Sequence, residues 1–212
     1  MKVPKLTSLY GLSIPSEVKI TGRITTIRGA FIKAIIPEVP FTNEEVKQWS
    51  NKLMIDTTNP RCSYCGGKAS ELDHFFAAVK DKRPTGYVTD LYNLVPSCGK
   101  CNQSKGGRYW KTWITGNAKN SPTTLNVPDL ERRIEILAAY EEWIKDKITI
   151  ITVSDFEDNE LFSKYFEECE ELLTTFAIYQ TKAEQLKKQM ELHLLERKLQ
   201  PAVAKPTHQA EH

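Results

Sequence analysis

Two Cys-x-x-Cys pairs, Cys62/Cys65 and Cys98/Cys101, constrain this chain more than any other feature. Cysteines at this spacing can bring four thiolates to one tetrahedral zinc, closing the intervening chain into a loop. A redox dithiol is the weaker alternative, because two separated pairs suit a tetrahedral cage better than one exchanging disulfide. The loop so closed carries Asp73-His74 and Asn93-Leu94-Val95-Pro96, and Asn102 follows the last cysteine directly. Closed four-thiolate sites generally hold folds, so the cage accounts for a scaffold and leaves the Asp-His pair unexplained.

The zinc would fix the strand carrying Asp73 close to the start of the helix carrying Asn102. Carboxylate and amide oxygens are hard ligands, suited to Mg²⁺ or Mn²⁺ rather than to a second zinc. Charge adds a second clue. Residues 1–120 carry 18 Lys+Arg against 9 Asp+Glu, a balance of +9; residues 121–212 carry 11 against 18, or −7, and the two give the net +2. A basic first half is the footprint of a nucleic-acid surface. The N-terminus has no continuous apolar stretch of the signal-peptide kind, and no run approaches the roughly 20 apolar residues that span a bilayer. The expectation is an intracellular, cytoplasmic protein, with paired cysteines that bind metal rather than form disulfides.

The expected fold class is α+β, in three regions. Residues 1–60 form an N-terminal strand and helix region: Val18–Ile36, rich in Ile, Val and Thr, reads as short strands or a hairpin. Thr42 and Glu45 form a capping box for a helix through Ile55. Residues 61–115 form the cysteine-bracketed core, with Asp73 and His74 ending a first strand and Phe75–Val79 opening a second. A basic turn over residues 80–86 follows, and Asn102 starts a helix to about Thr115. Residues 116–127 read as a linker. Residues 128–199 are helical: one helix with Leu130, Ile134, Leu137, Glu141 and Ile144 on a face, then a long one from about Asp155, capped by Ser154 and Glu157. The long helix has a heptad-like seam of Phe162, Tyr165, Cys169, Leu172, Phe176, Tyr179, Ala183, Leu186 and Met190. That seam suits either packing against the 128–147 helix or a homodimer or partner contact through residues 155–199. Residues 200–212 read as a disordered tail.

The array Cys-x-x-Cys, Asp-His, Asn-Leu-Val-Pro, Cys-x-x-Cys-Asn-x-x-Lys resembles the HNH (ββα-metal) nuclease family in its zinc-stapled form, and is similar to HNH restriction endonucleases. The resemblance covers residues 61–113. It implies a DNA endonuclease, with restriction or another phage defence as the setting. His74 would be the general base that activates water, and Asp73 with Asn102 would hold one Mg²⁺ or Mn²⁺. Asn93 would brace the loop that orients His74. Lys105, Arg108 and Lys111 would contact flanking phosphates, with a solvated helix face as the competing reading. The third family letter is Asn102 rather than His, and Phe75-Phe76-Ala77 replaces the proline often found after Asp-His. Two other readings stand beside this one: a nuclease subunit of a multi-protein complex, and a non-catalytic zinc module that binds nucleic acid.

Overall fold

The computed structural model describes residues 8–156 and 158–199; Glu157 and the 200–212 tail lie outside the described residues. Helix and strand are mixed, as an α+β chain requires. In order the elements are strands β1 (Ser8–Leu9) and β2 (Leu12–Ser13), helices α1 (Ile24–Ala34) and α2 (Asn43–Lys52), and strands β3 (Glu71–His74), β4 (Val79–Lys80), β5 (Arg83–Pro84) and β6 (Leu94–Ser97). Helices α3 (Gly99–Lys105), α4 (Trp110–Ile114), α5 (Leu130–Ile144) and α6 (Glu160–Leu199) follow. Among the described residues no helix is long and apolar enough to cross a membrane. The chain forms two compact units, residues 28–165 and residues 1–27 with 166–212.

In the 28–165 unit, α2 starts at the expected box. The Thr42 hydroxyl accepts the Glu45 amide, and the Glu45 carboxylate accepts the Thr42 amide at 2.7 Å. Strand β3 pairs antiparallel with β6, setting Asp73 opposite Val95 and His74 opposite Leu94. The second strand is therefore the Leu-Val-Pro segment and not Phe75–Val79 as the sequence suggested. Asn93 marks the end of the pairing: its carbonyl takes the Phe75 amide at 2.7 Å as one last rung, and its side chain then holds both backbone groups of Phe76, where the chain leaves the pair. The excursion that follows is the β4–β5 hairpin, whose two-residue turn, Asp81-Lys82, has positive φ at both positions. That is the turn geometry matching the twist of paired strands.

The helix expected from Asn102 to Thr115 begins at Gly99, capped by Cys98, and is two helices. Gly106 adopts φ +51°, and a Cβ on Gly107 would lie 3.2 Å from the Val79 carbonyl oxygen. The Gly106 dihedral favours glycine and the Gly107 approach is tight for a side chain, and the pair breaks the helix there. Nor is 116–127 a free linker. Ser121 is wholly buried and donates to the Gly116 carbonyl at 2.6 Å, while the Thr123 hydroxyl donates to that of Ile114 at 2.7 Å. Helix α5 then buries Leu137, Tyr140 and Ile144 in one core with Trp49, Phe75, Val95, Trp110 and Trp113. The β-branched run after it forms no strand. It lies along the loop before β6, where the Thr149 amide donates to Asp90 at 2.8 Å and the Ile151 amide to Gly86 at 2.8 Å.

The stretch expected to be short strands is a 3₁₀ turn, Ile20–Arg23, leading into α1. Ile20, Ile24, Ile27, Phe31 and Ile35 recur every three or four residues, and that period outweighs the β preference of Ile and Thr, worth only tenths of a kcal/mol per residue. In the unit of residues 1–27 and 166–212, β1 and β2 form a hairpin. The α6 side chain Gln180 accepts the Ile20 amide at 2.7 Å, and Lys187 pairs with Glu17. Helix α6 starts at Glu160, where the Asn159 side chain accepts the Phe162 amide at 3.2 Å; it does not start at Asp155. Its buried row in this unit is Phe166, Cys169 and Leu173, continued by half-buried Phe176 and Gln180. Only Cys169 and Phe176 of the expected seam belong to it; Leu172, Tyr179, Leu186 and Met190 are exposed. Alternating steps of three and four also fit the row starting at Phe166, one residue on from Tyr165, and spacing alone does not choose between them.

Candidate functional site

Four sulfurs converge first. The Sγ atoms of Cys62, Cys65, Cys98 and Cys101 all lie within 4.8 Å of one another, and Cys65 Sγ is 3.8 Å from Cys98 Sγ. A zinc–sulfur bond of about 2.3 Å gives a tetrahedral edge of about 3.8 Å, so the cluster fits a metal such as zinc. Local folding builds it. The first pair sits in a tight turn where the Cys62 carbonyl accepts the Gly66 amide at 2.8 Å, with Gly66 at φ +73°. The second pair caps and opens α3. The sulfurs also couple to one another. Hydrogen bonds from Cys101 and Cys65 hold the Cys62 thiol far below its ordinary value, and the same bond to Cys62 pushes Cys101 far up. A dication resolves that conflict by taking all four as thiolates.

Strand β3 leaves the cage and delivers Asp73 and His74. Asp73 is 5% exposed, and both carboxylate oxygens are engaged. Oδ2 accepts the Tyr64 hydroxyl at 2.8 Å and pairs with Lys105 Nζ at 3.1 Å; Oδ1 lies 3.4 Å from the same ammonium. Lys105 is 1% exposed and donates also to the carbonyls of His74 at 2.9 Å and Gly106 at 3.4 Å. Burial pushes the Asp73 carboxyl up, against the pull of Lys105 and Tyr64. It also pushes the Lys105 ammonium down, against the pull of Asp73. The pair is thus held together at a desolvation cost.

This placement corrects one expectation and alters another. Lys105 does not face phosphates, because its ammonium is buried and its three donors are spent on the protein. Asp73 does not present a free carboxylate to a divalent ion, because a cation already sits on it. Asn102, one turn into α3, is half-buried, and its side chain makes no hydrogen bond among the described residues. Of the two hard ligands expected for Mg²⁺ or Mn²⁺, one is available and one is committed, so the pair does not fit the ion in this arrangement. Arg108 and Lys111 are exposed. The Arg108 guanidinium folds back on the end of α3, onto the Ser104 and Lys105 carbonyls.

His74 is half-buried, and its Nε2 lies 3.1 Å from the Thr89 hydroxyl. Thr89 is itself fixed on both sides, its amide donating to Pro37 at 3.0 Å and its carbonyl accepting Val39 at 2.9 Å. Burial first, then the charges of Lys105 and Lys33, hold the imidazole below the usual histidine value. It is therefore neutral at neutral pH, the form that accepts a proton. Asn93 is fully buried. Its Oδ1 accepts the Phe76 amide at 2.8 Å, and its Nδ2 donates to the carbonyls of Phe76 at 3.0 Å and Val88 at 3.2 Å. It thus ties together both ends of the loop between β3 and β6. Asn93→Ala is expected to cost about 3 kcal/mol in urea unfolding, since it strands three buried polar groups. An unchanged midpoint would show that the clamp carries no stability.

Tyr64 and Thr89 were missed in the sequence. Tyr64 had a signal, lying inside the first cysteine turn and so beside whatever the cage holds; Thr89 had none. No protein-family model matches the chain, and neither a curated protein nor a solved structure matches it.

Proposed function

We propose that the 28–165 unit is an HNH-type endonuclease hydrolysing DNA phosphodiester bonds. One observation carries the reading. A neutral, half-buried histidine stands at the end of β3, braced by Thr89, in an antiparallel β3–β6 pair stapled to α3 by four cysteines. Two paired strands followed by a helix support the reading, because the Asp-His, Asn and Cys-x-x-Cys-Asn array sits on a ββα order in the family it resembles. His74 accepts the proton of the attacking water. Asn93 and Lys105 hold the main chain on either side of it, and Asp73 balances the Lys105 charge. A structural zinc occupies the cysteine cage. Restriction or another phage defence remains the proposed setting.

The test is cleavage of supercoiled plasmid, methylated and unmethylated, with Mg²⁺, with Mn²⁺ and with neither. His74→Ala is expected to lower the rate at least about 100-fold while zinc content and DNA affinity stay at wild-type values. Cleavage by His74→Ala at the wild-type rate would remove the histidine from the mechanism. The engaged Asp73 carboxylate favours one competing reading, a non-catalytic zinc module that binds nucleic acid. DNA retained but uncut under all three conditions would favour that module.

A further inference from the structure

Three aromatic rings, those of Phe76, Tyr87 and Tyr109, run near-parallel at the edge of the core, Phe76 lying two residues past His74. Phe76 stacks on Tyr87 with centroids 4.9 Å apart and planes 17° from parallel. The Tyr109 ring lies offset from Phe76, centroids 6.4 Å apart and planes 4° from parallel. Tyr109 is 43% exposed, yet its ring is pinned, with its hydroxyl donating to both Glu141 oxygens at 2.8 and 2.9 Å. The same carboxylate accepts the Trp110 indole at 3.0 Å, which anchors the clamp in the core. A tyrosine held this firmly by its tip presents a preorganised flat surface to solvent. Stacking there costs little ordering entropy.

The surroundings are basic. The Gly106-Gly107 turn, two residues before Tyr109, packs on β4, so the hairpin lies next to these rings. Exposed Lys80 and Lys82 belong to that hairpin, and exposed Lys111 follows Tyr109 on α4. Aromatic faces among lysines and arginines are what single-stranded nucleic acid uses, its phosphates on the cations and its bases on the rings. Duplex DNA offers no free base face, because each is covered by its neighbours.

We propose that Tyr109, backed by Phe76 and Tyr87, is a stacking platform for an unpaired nucleobase of DNA. The substrate class of the site is then DNA with single-stranded or unstacked nucleotides beside the bond to be cut. The proposal rests on the nuclease reading for its place in catalysis but not for binding. The Glu141 carboxylate, spent on Tyr109 and Trp110, fixes the ring and does not face the phosphates.

The test measures fluorescence anisotropy of a labelled 12-nucleotide thymidine strand and of a labelled duplex, using His74→Ala protein so that neither is cut. Stacking of one base contributes about 1–3 kcal/mol, so adding Tyr109→Ala should weaken single-strand binding roughly 5- to 150-fold. Duplex affinity should stay within a factor of two. Tyr109→Phe, which keeps the ring and loses the hydroxyl that pins it, should bind the single strand more tightly than Tyr109→Ala and more weakly than the parent, and zinc content should be the same in all proteins. Wild-type-like binding by Tyr109→Ala, equal loss for strand and duplex, or no single-strand binding by the parent protein would each overturn the proposal. Absence of plasmid cleavage bears on the nuclease reading alone, because the anisotropy needs no cleavage.

Discussion

Cys101→Ser is expected to unfold the 28–165 unit at room temperature, with loss of one bound zinc per chain. Cys101 is buried at the start of α3, and its sulfur helps join the first cysteine turn to that helix. Beside the cage the join rests on the buried Tyr64–Asp73–Lys105 link, and the elements it ties are small: β3 and β6 pair over only four residues each and α3 has seven. Structural zinc in small sites contributes about 10–16 kcal/mol of apparent binding energy, against about 5–15 kcal/mol for the stability of a whole domain. Losing one thiolate of four need forfeit only part of that to tip the balance. Circular dichroism melts with zinc measured by atomic absorption would show it. Cys169→Ser is the control, because Cys169 lies on α6 outside the cage, and its variant should keep the metal. A Cys101→Ser protein that melts like wild type would rule out a folding role for the cage.

Lys105→Met is expected to lower the stability of the unit by about 3–5 kcal/mol, the usual cost of breaking a buried ion pair from one side. Met fills the volume of the lysine stem but leaves the Asp73 carboxylate with only the Tyr64 hydroxyl and the His74 carbonyl with no donor. Asp73→Asn combined with Lys105→Met should recover much of the loss, so that the double variant is more stable than the sum of the singles predicts. Urea unfolding of the four proteins gives the cycle directly. If Lys105 instead served phosphates, Lys105→Met would weaken DNA binding and leave the unfolding midpoint in place, and the buried role would be wrong.

Legibility in the sequence followed the range of each interaction. The Thr42–Glu45 box is complete within four residues and was readable as it stands. The cysteine cage was readable because its spacing encodes one chemistry almost regardless of fold. The partner of β3 was not, because Phe75–Val79 and Leu94–Ser97 are both short and apolar, and the choice falls to contacts across a loop, those of Asn93 among them. Val18–Ile36 misled through composition, its β-branched residues masking a helical period. Lys105 misled through charge type: a lysine reads as solvated unless a buried acid is known to await it, and Asp73 is thirty-two positions away. On α6 the helix itself was plain but the choice of face was not, since adjacent rows fit the same alternation.

Asn93 also fixes where the loop between β3 and β6 closes. Because it gathers the chain at Phe75, Phe76 and Val88, the loop is closed at its base, and the Asp81-Lys82 tip lies beyond that closure from the His74 backbone. Lengthening a closed loop costs little, about 0.6 kcal/mol for each doubling. The tip can therefore be extended or rewritten without shifting the histidine, much as a tool head is exchanged on a fixed handle. Divergence among chains built this way would concentrate at that tip, and with it any change in which nucleic acid is held.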